Sequence, residues 1–259
     1  MKSLFLAAFA LLLAGCASGP RIDTRHVSLG QDSRVQFIVL HYTSADLQRS
    51  LAILEGDDVS SHYLIGEAPA TIYRLVDESR RAWHAGESQW NGRTWLNASS
   101  IGIELVNRGY VEDGQGHRLW YPYSDQQIDA LIVLLKGIMQ RHGLKPAAII
   151  GHSDIAPQRK VDPGPLFPWK RLADAGLVPW PDAAQVERQR SLFAESLPGV
   201  AWFQAQLAVQ GYEVPANGEL DAETRNVLAA FQMKYRPARF DGEPDAETAA
   251  ILAVLNAAR

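Results

Sequence analysis

Two histidines stand where apolar, β-branched runs end. His41 closes the run Val35-Gln36-Phe37-Ile38-Val39-Leu40, and His152 follows Ala148-Ile149-Ile150-Gly151. If both runs are strands of one sheet, the two imidazoles can face one cleft. One further carboxylate makes a His-His-Asp set, which leaves a tetrahedral metal with an open fourth position, the arrangement of catalytic zinc. Zinc in such a site lowers the pKa of bound water from ~15.7 to about 7, so that hydroxide is available at neutral pH. Asp154 and Asp162 both follow His152, and either is a candidate for the third ligand.

Two more residues belong to the same chemistry. Glu104 sits inside Ile101-Gly102-Ile103-Glu104-Leu105-Val106. A carboxylate in an apolar strand is costly to bury without a partner or a task. Strand alternation puts Gly102 and Glu104 on one face and Ile101, Ile103 and Leu105 on the other. The glycine keeps space beside the carboxylate, which suits a pocket, and a carboxylate there suits a general base. Lys160 lies two residues before Asp162 in an extended segment and projects to the same side as it. A cation at that place stabilises a developing oxyanion, although a lysine is by frequency a surface residue.

The elements that must position these groups are readable from periodicity and punctuation. Strands are expected at 35–42, 62–65, 71–76, 101–106 and 147–151, and helices at 47–55 and 125–142. Ser124 caps the second helix, Gln127 stands in capping-box position, and Gly143 ends it. Strands and helices alternate without a clean β-α-β rhythm, which predicts an α/β fold with a mixed central sheet flanked by helices. Pro179-Trp180-Pro181 marks a boundary. Beyond it Gly218-Glu-Leu-Asp-Ala-Glu-Thr224 recurs 24 residues on as Gly242-Glu-Pro-Asp-Ala-Glu-Thr248. In each copy the aspartate can N-cap a helix. With a preceding helix carrying Trp202, Phe203 and Leu207, the repeat predicts a small C-terminal three-helix domain. The expected division is a leader at 1–15, a tether at 16–34, a catalytic domain at 35–182 and the helical domain at 183–259.

With 259 residues and 47% apolar content the chain can bury a sizeable core, and its net charge of −4 without a Lys/Arg run argues against nucleic acid as a partner. Lys2 and the apolar run Leu4 to Ala14 read as a secretory leader, since the run is far shorter than the ~20 residues of a membrane span. Leu13-Ala14-Gly15-Cys16 resembles a bacterial lipobox. That resemblance implies cleavage before Cys16 and lipidation of its sulfur. Ala17 in place of an aspartate then implies an outer-membrane lipoprotein facing the periplasm of a Gram-negative cell. Cys16 is the single cysteine, so no disulfide can form within the chain.

Six segments taken in order resemble one family. They are His41-Tyr42-Thr43, Ser61-His62-Tyr63-Leu64-Ile65, Ala82-Trp83-His84-Ala85-Gly86, Ile101-Gly102-Ile103-Glu104-Leu105, Gly151-His152-Ser153-Asp154-Ile155-Ala156-Pro157 and Arg159-Lys160-Val161-Asp162-Pro163-Gly164-Pro165. Together they resemble the zinc N-acetylmuramoyl-L-alanine amidases of the AmpD/AmiD group. Those enzymes share their fold with peptidoglycan recognition proteins and T7 lysozyme. The C-terminal repeat, with Phe231-Gln232, resembles a peptidoglycan-binding domain, and the lipobox-amidase-binding-domain layout is that of the AmiD type. The resemblance implies zinc on His41, His152 and Asp162, with Glu104 as general base and Lys160 at the oxyanion. It implies hydrolysis of the amide between the lactyl group of N-acetylmuramic acid, or its anhydro form, and L-Ala of the stem peptide. Peptidoglycan and muropeptides are the implied partners, with the membrane reached through the lipid on Cys16. His84 and Asn97 are implied at the substrate, and Arg93 could pair with a stem-peptide carboxylate. His62 is expected to be packed behind the site. Trp90, Trp95, Trp120 and Tyr121 are candidates for a sugar cleft. Asp154 is expected to brace its own loop. A non-catalytic, lipid-anchored peptidoglycan tether is the alternative, and the oligomeric state is left open.

Overall fold

In a computed structural model that describes residues 20 and 22–258, the run ending at His41 forms β1 (Phe37–Tyr42). The expected leader 1–15 and Cys16 lie outside the described residues. By its contacts the chain divides into Met1–Asp32 and Ser33–Arg259. In the first unit the described residues form no helix or strand, and Arg25 pairs with Asp23.

The second unit holds the regular structure. After β1 come α1 (Leu47–Leu54), β2 (Tyr63–Ile65) and β3 (Ile72–Arg74). A hairpin follows, β4 (Gln89–Trp90) and β5 (Arg93–Thr94), turned at Asn91-Gly92 with both residues at positive φ. Then come β6 (Ser100–Leu105), the hairpin β7 (Tyr110–Glu112) and β8 (Arg118–Trp120), and α2 (Asp125–His142). Strand β9 (Ile149–Gly151) runs directly into a single turn, α3 (His152–Ile155). The chain continues through α4 (Trp169–Asp174), α5 (Ala183–Glu195), α6 (Val200–Gln210), α7 (Ala222–Tyr235) and α8 (Ala246–Ala257). Among the described residues no helix is long and apolar enough to cross a membrane.

The main sheet has the order β3-β2-β6-β1-β9. Strand β1 is parallel to β6 and β9, β2 is parallel to β6, and β3 closes the edge antiparallel to β2. This is the expected mixed sheet. Its two faces bury different partners, because successive strand side chains alternate. Ile38, Leu40, Ile101, Ile103 and Leu105 pack with α2 residues Ile128, Leu131 and Leu135. Phe37, Val39 and Ile150 point the other way, into one core with Phe203, Leu207, Val227 and Phe231 of the C-terminal helices. His41 and Glu104 are register partners on that second face. The helices beyond the proline-rich boundary therefore cover the side of the sheet on which the site opens.

Several details depart from the sequence reading. Arg34, placed in the tether, is bound into the fold: its guanidinium donates to the Glu78 carbonyl at 2.6 Å and the Ser100 carbonyl at 3.2 Å. Ser124 caps α2 by accepting from the Gln127 amide at 3.2 Å, but the capping box is only half made. The Gln127 carboxamide donates instead to the carbonyls of Ile65 and Val106, at 3.1 and 2.9 Å, where β2 and β6 run out of strand partners. The three expected C-terminal helices are α6, α7 and α8, and a fourth, α5, lies along α8. Asp221 and Asp245 cap α7 and α8, each accepting from the threonine three residues on at 2.8 Å. The repeat also carries a buried glutamine. Gln204 accepts from Gly218 N and donates to Thr224 Oγ1, at 2.8 and 2.9 Å; Gln232 accepts from Gly242 N and donates to Thr248 Oγ1, at 2.9 and 3.1 Å.

Candidate metal centre

His41 at the end of β1, His152 at the start of α3 and Asp162 on the returning loop meet at one point. One donor atom from each lies within 4.8 Å of the others. Asp162 Oδ2 is 3.0 Å from Nδ1 of His41 and 3.0 Å from Nδ1 of His152, and the two Nδ1 atoms are 2.9 Å apart. The third donor atom at this point thus comes from Asp162 and not from the nearer Asp154. Ten residues allow the chain to leave His152 and come back, and the Ser153 amide donates to the Asp162 carbonyl at 2.8 Å to hold the return.

Hydrogen bonds on the far side of each ring determine which nitrogen carries the proton. Ser100 has one hydroxyl hydrogen, and it goes to the Leu96 carbonyl at 2.7 Å. Ser100 Oγ, 3.2 Å from His84 Nε2, must then accept from it. A neutral His84 therefore has a bare Nδ1, which accepts from His41 Nε2 at 3.0 Å. His152 Nε2 lies 3.2 Å from the Ala85 carbonyl, which can only accept, and 3.5 Å from Arg159 Nη2, which itself donates to that carbonyl; the shorter contact assigns the proton to Nε2. Both Nδ1 atoms are consequently lone pairs aimed at a carboxylate oxygen. Three lone pairs 3 Å apart repel unless a cation lies among them, so this donor set fits a divalent metal with N,N,O ligands.

The electrostatics agree. Burial, reinforced by His152 and opposed by Asp162, pushes His41 down to about 4, which keeps it neutral. Burial and the neighbouring His41 and His62 also hold His84 well below its ordinary value. Glu104 is pushed up to about 8 by burial and by the Asp162 charge, against the opposing pull of Lys160. Its Oε2 is buried without a hydrogen-bond partner. An unsatisfied buried carboxylate oxygen is expensive, and Glu104 lines the cavity that the metal set also lines. Lys160 lines the same cavity of about 380 Å³, and its charge acts on both Glu104 and His41.

The remaining candidates divide. His84 lines the cavity, but its ring is engaged with His41 and Ser100, so its geometry is that of a support for a ligand. It occupies the room beside Glu104 that Gly102 keeps free: a Cβ on Gly102 would lie 2.4 Å from the His84 ring. Asn97 braces the same loop, its Oδ1 accepting from the amides of His84 and Ala85 at 3.0 and 2.8 Å. Asn97 and Arg93 lie outside the residues lining the cavity, and Arg93 stands exposed on β5. His62 is fully buried, its Nδ1 accepting from the Gly102 amide at 3.0 Å, as expected of a packed residue. Trp90 lies outside the cavity that the metal set lines: it is 5% exposed and packs edge-on against Tyr212 at 4.8 Å.

Trp83 and Arg159 were missed by the sequence reading. Trp83 is 46% exposed and lines the cavity. Arg159 donates to the Ala85 and Glu87 carbonyls and so shares the Ala85 oxygen with His152. Residue type alone does not set either apart from other tryptophans and arginines of the chain.

A mixed sheet carrying a buried His-His-Asp set able to hold a metal ion, with an unpartnered carboxylate and a lysine on the wall of one cavity, has the groups that a metal-dependent hydrolase needs. Comparison with known proteins agrees in sequence and in fold. A profile for N-acetylmuramoyl-L-alanine amidase matches residues 31–165, and a profile for a peptidoglycan-binding domain matches residues 196–252. The chain is 44% identical over 266 aligned positions to the N-acetylmuramoyl-L-alanine amidase AmiD of Escherichia coli, spanning 97% of this chain and 96% of that one. The E. coli AmiD structure, in complex with anhydro-N-acetylmuramic acid-L-Ala-D-γ-Glu-L-Lys, superposes with a TM-score of 0.83 at 43% identity, covering 92% of this chain and 94% of that one. AmpDh3 of Pseudomonas aeruginosa, in complex with anhydromuramic pentapeptide, superposes with a TM-score of 0.86 at 41% identity, covering 93% and 99%. The chain belongs to the N-acetylmuramoyl-L-alanine amidase family.

Proposed function

We propose that this chain is a zinc-dependent amidase that cleaves the bond between the lactyl carbonyl of N-acetylmuramic acid, or its anhydro form, and L-Ala of the stem peptide. The observation that carries the reading is the convergence of three bare donor atoms, from His41, His152 and Asp162, beside the unpartnered Oε2 of Glu104. Zinc, when bound there, polarises the scissile carbonyl and acidifies water. Glu104 takes the proton from the attacking water and passes it to the leaving amine, which balances the hydrolysis. Lys160 supplies positive charge where the carbonyl oxygen becomes an oxyanion. His84 and the Ala85 carbonyl keep His41 and His152 in the tautomers that leave Nδ1 free. The anhydro-muropeptides held by the two relatives support the choice of muropeptides as substrates.

The lipobox at Leu13-Ala14-Gly15-Cys16 supports a lipid-anchored enzyme on the outer membrane, facing the periplasm. The residues from about 183 onward are read as its peptidoglycan-binding part. Purified protein loaded with zinc is incubated with murein and with defined anhydro-muropeptides, and released stem peptides are identified by mass spectrometry. Release from either substrate is expected, whereas zinc-loaded, folded protein that frees no peptide refutes the amidase reading and leaves the tether. The anchor is tested separately by Cys16→Ser, which should move the protein from the membrane to the soluble periplasmic fraction.

A further inference from the structure

His152 opens α3, a helix of four residues, so its direction depends on whatever holds that one turn. The turn also holds Asp162 through the Ser153 amide, so two of the three metal donors depend on it. Asp154 is the residue that pins it. Its Oδ2 accepts from the Gly151 amide at 2.8 Å and from Lys234 Nζ at 2.7 Å, and its Oδ1 accepts from the Tyr212 hydroxyl at 2.6 Å. Only the first of these is the local brace expected from sequence. Lys234 lies in α7 and Tyr212 directly follows α6, 80 and 58 residues along the chain. Asp154, Tyr212 and Lys234 are 1%, 5% and 7% exposed. The ammonium also stands over the Trp169 ring at 4.3 Å, which fixes it from a second side. Ile155 and Ala156, on the same turn, are buried in the core shared with Phe203, Leu207 and Phe231.

We infer that Lys234 and Tyr212 are positioning residues of the metal centre, acting through Asp154, so that the C-terminal helices are a structural part of the site and not only an appended wall-binding module. A buried charge pair in a dry setting is directional and stiff: either partner alone is strongly disfavoured, so the carboxylate stays where the ammonium and hydroxyl hold it. Asp154 in turn sets the helical turn from which His152 projects. Loss of a group that orients a ligand weakens metal binding by about 10- to 100-fold without removing any ligand.

The inference rests on reading His41, His152 and Asp162 as a zinc site, so zinc binding by the unmodified full chain is measured first, by competition with a chromophoric chelator. An unmodified chain that binds no zinc overturns that reading and this one together. Given stoichiometric binding, Lys234→Met is expected to lower zinc affinity by roughly 10- to 100-fold in protein that is still folded by circular dichroism. The double variant Asp154→Asn with Lys234→Met is expected to recover part of the loss, since it removes the stranded carboxylate and keeps an acceptor for the Gly151 amide. Tyr212→Phe removes one hydroxyl and is expected to weaken zinc several-fold; it carries the test if Lys234→Met does not fold. Leu228→Ala, in the same core but with a side chain that makes no hydrogen bond to Asp154, Tyr212 or Lys234, is expected to lower the melting temperature and leave zinc affinity unchanged. Wild-type zinc affinity in folded Lys234→Met, or an equal loss in Leu228→Ala, overturns the inference: the first removes the coupling, the second reduces it to general loosening.

Discussion

Gly102→Ala tests the proposed logic of the site at a position outside the residues that line the cavity. An added Cβ would lie 2.4, 2.6 and 2.7 Å from Cγ, Cδ2 and Nδ1 of His84. Non-bonded carbons rest at about 3.5–4.0 Å, so the ring must retreat by roughly 1 Å. The His84 Nδ1 to His41 Nε2 bond is 3.0 Å, and that retreat takes it beyond hydrogen-bonding range. Two costs follow: overpacking of about 1–3 kcal/mol, and a buried N–H left unpaired at about 1–3 kcal/mol. The expected loss of stability is therefore about 2–6 kcal/mol by denaturant titration, and zinc affinity should fall by about 10- to 100-fold. A double-mutant cycle isolates the cause. In a His84→Ala background the space is vacant, and Gly102→Ala should cost less than about 0.5 kcal/mol. Unchanged stability and zinc affinity in the single variant, or an equal cost in both backgrounds, refutes the claim that Gly102 is small to seat His84.

Other expectations follow from the same geometry. Asp162→Ala should abolish zinc binding and turnover together, and stoichiometric zinc in that variant rejects its ligand role. Glu104→Gln should retain zinc yet lose about 10²- to 10⁴-fold in turnover; a rate within about 3-fold of the parent removes it as the base. Glu78 gives a prediction about acid stability. Burial raises its carboxyl, but hydrogen bonds from Arg141, Tyr63 and His142 outweigh this and bring it from 4.5 to about 2. A depressed folded-state pKa means stability that is present above about pH 4.5 and is lost as pH falls towards 2. Glu78→Gln should flatten that acid limb, by on the order of 1–2 kcal/mol after solvent screening; an unchanged limb in equilibrium unfolding between pH 2 and 5 contradicts it.

How far the sequence could be read is clearest at individual residues. The strand runs of β1, β6 and β9 were legible because parallel strands covered on both faces are nearly continuous apolar runs. Helix α2 was legible to the residue because Ser124 and Gly143 mark its ends by local geometry alone. The hairpin at Asn91-Gly92 carried a recognisable turn signal that was passed over. Gln127 was assigned by a local motif and is used by a distant one, since two strand-end carbonyls compete for its amide.

The site divides along the same line. Residue type and place at the ends of apolar runs marked His41, Glu104 and His152 and left Asp154 and Asp162 both open; the resemblance of six ordered segments to one family added the choice of Asp162 and the role of Lys160. What the groups do to one another was settled only by the folded chain. The tautomers of His41 and His152 depend on partners 43 and 67 residues away. The brace on Asp154 comes from Lys234 and Tyr212, whose identities carry no local sign of that use. Hydrogen-bond direction and burial are properties of atoms within about 3 Å, and the sheet face shared with the C-terminal helices is what brings those atoms together.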